Sequence, residues 1–117
     1  KVGGFDLAAM TGFYLGASAS GVPVILDGFI SVTAALAACR IAPASAGAML
    51  ASHSSRERGS QAVLDELGLA PIIIAGLCLG EGTGAVTMMP MLDMAAAVYR
   101  KMSTFAEIHM EAYQPME

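Results

Sequence analysis

Pro23-Val24-Ile25-Leu26-Asp27-Gly28 is the stretch that decides how this chain folds. A short, β-branched, apolar run stopped by Asp-Gly reads as a buried strand. On its N-terminal side, Phe5 or Asp6 to about Ser20 reads as a helix ended by Gly21, with Gly12 and Gly16 spaced to let another helix approach closely. On its C-terminal side, Ile30 to Arg40 reads as an Ala-rich helix that ends before Pro43. Ala48-Met49-Leu50-Ala51 is a second strand, and Pro71-Ile72-Ile73-Ile74-Ala75 a third. Between them, Ser54 followed three residues later by Glu57 fits a capping box, predicting a helix to Leu67 closed by Gly68. Beyond Gly80-Glu81-Gly82-Thr83-Gly84 a helical pattern reaches about Ala106, with Pro90 kinking it or opening its second half.

Strands and helices alternate, and the strands are uniformly apolar. That pattern predicts an α/β fold: a parallel sheet with helices on both faces, in three layers. No internal repeat or linker divides the chain, so residues 1–117 read as one unit. The chain opens on Lys1 and Val2, which reads as a start inside something larger, the C-terminal portion of a bigger domain.

Composition narrows the function. Hydrophobic residues make up 56% and charged residues 14%, which excludes intrinsic disorder. Ten acidic residues against six basic ones leave no basic stripe for a nucleic-acid backbone. Leu7 to Leu26 carries no charge and has the length of a bilayer span, but Gly21-Val22-Pro23 splits it and no Lys/Arg cluster flanks it. A membrane role is not expected. Cys39 and Cys78 lie in apolar stretches outside any CxxC, and read as reduced core cysteines of a cytosolic protein rather than a disulfide or metal site. Met88, Met91 and Met102, at helical spacing, read as core.

In parallel sheets ligands sit beyond the carboxyl ends of the strands. Two carboxylates stand there in isolation. Asp27 is the only charged residue between Leu7 and Cys39, and Glu81 the only one between Leu67 and Leu92. A carboxylate in apolar surroundings without a cationic neighbour tends to exchange protons near neutrality. For Asp27 the competing structural reading is a cap on the helix that follows it. Gly80, Gly82 and Gly84 do not spell GxGxxG or a Walker loop, and the anion in their midst would repel phosphate. Glycines around one carboxylate suit a general base approached by a flat, neutral substrate. Ser52 to Arg56 is the better anion site, at a predicted helix N-terminus with Arg56 or Arg58 nearby.

Four stretches together resemble one family: Lys1-Val2-Gly3-Gly4-Phe5-Asp6, Pro23 to Phe29, Ser52-His53-x-Ser55 with Gly59, and Leu79-Gly80-Glu81-Gly82-Thr83-Gly84-Ala85. Their order and spacing resemble the C-terminal third of nicotinate-nucleotide:dimethylbenzimidazole phosphoribosyltransferase. The resemblance implies transfer of phosphoribosyl from nicotinate mononucleotide to 5,6-dimethylbenzimidazole in cobalamin assembly. It implies Glu81 as general base, Leu79 lining the benzimidazole pocket, Ser55 contacting the nucleotide phosphate, and Asp27, Gly80 and Gly82 around the substrates. It further implies a cytoplasmic homodimer that needs no metal or other cofactor. The family protein is much longer, and the part preceding this segment supplies a glycine-rich phosphate loop and much of the base pocket. The chain alone is therefore expected to be inactive or nearly so. The other reading is a structural or association domain, suggested by low charge and small residues on the first and last helices.

Overall fold

The computed structural model describes residues 3–111 and 113–115; Lys1 and Val2, which open the first resemblance motif, lie outside them. The elements run α1 (Phe5–Ala19), β1 (Val24–Leu26), α2 (Phe29–Ile41), a 3-10 turn (Pro43–Ala48), β2 (Met49–Ala51), α3 (Ser60–Leu67) and α4 (Thr83–Lys101). β1 and β2 pair in parallel, Val24 opposite Met49 and Leu26 opposite Ala51, with α2 and the 3-10 turn as the crossover. The fold is α/β, as the alternation of patterns predicts.

The core gathers on this crossover. Leu26, Val32, Ala34, Ala35, Ala38, Ala51 and Leu64 are essentially sealed from solvent. Alanines on the inner face of α2 leave room for α1 to lie close: Thr11 Oγ1 sits 2.7 Å from the Leu7 carbonyl and 3.2 Å from that of Ala34 across the interface. Burying a hydroxyl there is tolerable because it has partners on both helices. Gly68 closes α3 in the left-handed conformation, its N–H donating to the carbonyls of Asp65 and Leu64.

Several expectations fail for local reasons. The third strand shrinks to one parallel bridge, His53 with Ile73, flanked by Ile72 N–H to Ala51 O at 3.2 Å and Ser54 N–H to Ile73 O at 3.1 Å. Gly76, at φ +62°, turns the chain away, and Ile74 is 84% exposed. The capping box does not form. Ser54 Oγ donates to Gln61 Oε1, Ser55 Oγ accepts the Glu57 N–H, and the helix starts only at Ser60, after Gly59 at φ +90°. α4 ends at Lys101, short of Ala106, and runs through Pro90 without interruption. Of the three methionines expected in the core only Met88 is buried, and Cys78 is exposed. Gly12 and Gly16 face open space: a methyl group on either would meet no atom of the described residues within 4 Å.

The molecule is elongated, 60 × 32 × 31 Å, with a radius of gyration of 17.3 Å. A compact chain of this length would measure about 13 Å. Along the outer half of α4, Met94, Val98 and Tyr99 stand uncovered.

Candidate active site

A cavity of about 640 Å³ opens alongside β1 and reaches the residues that follow β1 and β2. Phe13 and Tyr14 of α1, Pro23, Phe29 and Met89 give it apolar walls. Asp27, His53, Ser55, Leu79, Gly80, Glu81 and Gly82 reach it as well, so the residues that the resemblance implies for the site line one hollow, whereas Ser52, Arg56 and Arg58 of the expected anion site are not part of its lining.

The loop that carries Glu81 has an unusual backbone. Gly80, Glu81 and Gly82 take φ of +76°, +55° and +80° in succession. Glycine adopts this region freely; for Glu81 the left-handed conformation costs about 1–2 kcal/mol. Residues kept in sparsely populated conformations persist only where their surroundings over-determine them. Two devices do so here. The Gly80 carbonyl accepts both the Thr83 N–H at 3.1 Å and the Thr83 hydroxyl at 2.8 Å, closing the turn. The Asp27 carboxylate accepts the next free donors: Gly82 N–H at 3.0 Å on Oδ2, and Gly84 N–H at 2.8 Å and Ala85 N–H at 3.2 Å on Oδ1.

Asp27 is thus a helix cap, but of α4, 55 residues downstream, and not of α2 as its position in the sequence suggests. Its own N–H donates to Ser31 Oγ at 3.0 Å, and Ser31 Oγ lies 2.8 Å from the Tyr14 hydroxyl. A carboxylate at the positive end of a helix, with three N–H donors, is in a favourable field. Both of its oxygens are engaged with backbone.

His53 closes the floor. It is buried, its Nδ1 lies 3.0 Å from Ser52 Oγ, and its ring rests against the first turn of α4 at Gly84. A Cβ on Gly84 would stand 2.9 Å from His53 Cγ and nearer still to Nδ1 and Cε1. This glycine is needed for space. The brace that Ser31 and Tyr14 form behind Asp27 matches no motif in the sequence. The spacing of Asp27 and Ser31, four apart at a helix start, was the one available signal.

Glu81 itself is exposed at the cavity rim and has no ion-pair partner among the described residues; Arg40 pairs with Glu66 instead. Ser55 is half-buried in the wall. The helix N-terminus expected to complete its anion site begins five residues later, at Ser60, so the donors there are Ser55, the loop backbone and Arg56, whose Nε lies beside Gly76. The arrangement offers an apolar cavity lined by three carboxylates, Asp27, Glu57 and Glu81, of which Asp27 is engaged with backbone, and by the Ser55 hydroxyl.

The chain is 46% identical over 117 residues to the nicotinate-nucleotide–dimethylbenzimidazole phosphoribosyltransferase of Ruminiclostridium cellulolyticum, covering 33% of that protein. It is 47% identical over 115 residues to the enzyme of the same name from Acetivibrio thermocellus, again covering 33% of it. The crystal structure of the Thermus thermophilus enzyme superposes with a TM-score of 0.88 at 43% identity, over 96% of this chain and 34% of that one. The chain thus spans about a third of the length of the relatives it matches. A family model described as phosphoribosyltransferase matches residues 1–110, and the chain belongs to that family.

Proposed function

We propose that this chain forms the catalytic-base segment of an enzyme transferring phosphoribosyl from nicotinate mononucleotide to 5,6-dimethylbenzimidazole, giving α-ribazole 5′-phosphate and nicotinate. The observation that carries the reading is Glu81: a carboxylate with no ion-pair partner among the described residues, on a backbone held in the left-handed region, at the rim of an apolar cavity. One benzimidazole nitrogen attacks the anomeric carbon as the bond to nicotinate breaks. Positive charge then grows on the attacking ring, and Glu81 takes the proton from its other nitrogen. Nicotinate leaves with a neutral pyridine nitrogen, so no general acid is required. Attack opposite the leaving group yields the α configuration. Leu79, Gly80 and Gly82 would flank the heterocycle, Ser55 would hold the phosphate, and the enzyme would work in the cytoplasm as a homodimer.

The test joins this chain to the N-terminal two thirds of the Acetivibrio thermocellus relative and follows ribazole phosphate formation. Glu81→Gln should lower turnover about a hundredfold or more, as expected for loss of a general base. Unchanged turnover removes the assignment.

A second reading, an association domain without chemistry of its own, is favoured by the uncovered apolar surface of α4, where Tyr99 is 90% exposed. Mixing the chain with a separately expressed N-terminal part separates the two. Recovered activity supports the first; binding without activity supports the second.

A further inference from the structure

We infer that Asp27 is a positioning residue for the base: it acts on the reaction only through Glu81, by fixing the backbone on which that carboxylate stands. The inference rests on the proposal that Glu81 is the base. Three observations carry it. Both Asp27 oxygens are taken by the N–H groups of Gly82, which follows Glu81 directly, and of Gly84 and Ala85 in the first turn of α4. Glu81 holds a φ of +55°, a conformation a non-glycine residue keeps only when its neighbours impose it. Asp27 is itself anchored, since its N–H donates to Ser31 Oγ and that hydroxyl meets Tyr14, so the carboxylate is a fixed strut between β1 and α4. Without the strut, the first turn of α4 loses its acceptor and the 80–82 loop relaxes toward ordinary backbone angles. The Glu81 carboxylate then spends most of its time away from the incoming ring proton.

The experiment uses the joined enzyme described above with four variants: D27A, D27N, E81Q and D27A/E81Q. D27A is expected to lower kcat roughly tenfold to thirtyfold, in keeping with loss of a helix cap. The KM for nicotinate mononucleotide should stay within about twofold, since the carboxylate faces backbone rather than nucleotide. D27N retains an acceptor oxygen for Gly84 and Ala85 and should recover part of the loss. The decisive readout is the double variant. If Asp27 works through Glu81, D27A/E81Q is no slower than E81Q alone. Multiplicative losses, a wild-type kcat in D27A, or a loss confined to KM each overturn the inference, the last by making Asp27 a substrate contact. If D27A does not fold, D27N and D27N/E81Q answer the same question by the same criteria. An E81Q enzyme with full turnover removes the base reading and this inference with it. A crippled E81Q beside an unimpaired D27A removes the inference alone.

Discussion

Gly84→Ala puts the seating of α4 on His53 to a direct test. At an ordinary exposed helix position this change would stabilise by about 1 kcal/mol, because alanine is the better helix former. Here the new methyl group falls on the imidazole, 2.9 Å from Cγ and closer to Nδ1. His53 is 3% exposed and held by Ser52, so the ring has little room to yield. Overpacking of this kind costs about 1–3 kcal/mol. Pushing the helix outward also stretches the Gly84 N–H bond to Asp27 Oδ1, now 2.8 Å, at a further cost of about 1 kcal/mol. The balance is a net loss of about 1–3 kcal/mol, or a fall in Tm of roughly 5–15 °C for a chain of this size. Thermal melting of the chain followed by circular dichroism reads it. The companion variant, Gly84→Ala with His53→Ala, should recover at least about 1 kcal/mol relative to the sum of the single changes. A Tm at or above wild type for Gly84→Ala, or strict additivity in the pair, refutes the reasoning.

Other outcomes follow from the same geometry. Leu26→Ala, in a site with no solvent exposure, should cost about 3 kcal/mol in a denaturant titration, because it removes a full side chain from the core. Ser60→Ala should be neutral or slightly stabilising in the same titration, since its buried hydroxyl has no hydrogen-bond partner among the described residues to lose. Arg40→Ala breaks the pair with Glu66, but the two side chains are 70% and 53% exposed, so the loss should stay below about 1 kcal/mol and shrink further in salt. Gly12→Ala, in the exposed middle of α1 with nothing near its Cβ, should raise stability by about 1 kcal/mol.

Local pattern was enough to place most elements, because their signals are local. The apolar run at 24–26, the alanine-rich face of α2 and the Gly68 stop each depend on near neighbours, and all appear within a residue or two. The third strand failed for the opposite reason. Ile72, Ile73 and Ile74 have strand chemistry, but a strand needs a partner along its length, and the chain turns off at Gly76 after one bridge. Glu81 stands out in the sequence because a lone acid amid glycines is rare in so apolar a chain, and the fold places it at the cavity. The duty of Asp27 was hidden. Its partners lie 55 to 58 residues away, and nothing in the spacing of Asp27 and Gly84 announces that one holds the other.

That long separation has a consequence for how the molecule comes into being. A contact spanning more than half a hundred residues closes late, after the nearby helices and the parallel pair have formed, since chain entropy must be surrendered before it is rewarded. The segment bearing the acid is therefore among the last to order and, by the same logic, among the first to loosen. On mild heating or in dilute urea, hydrogen exchange at the Gly84 and Ala85 amides should quicken before that at Val32 or Ala38, leaving a body that is still folded around a loosened 80–85 segment.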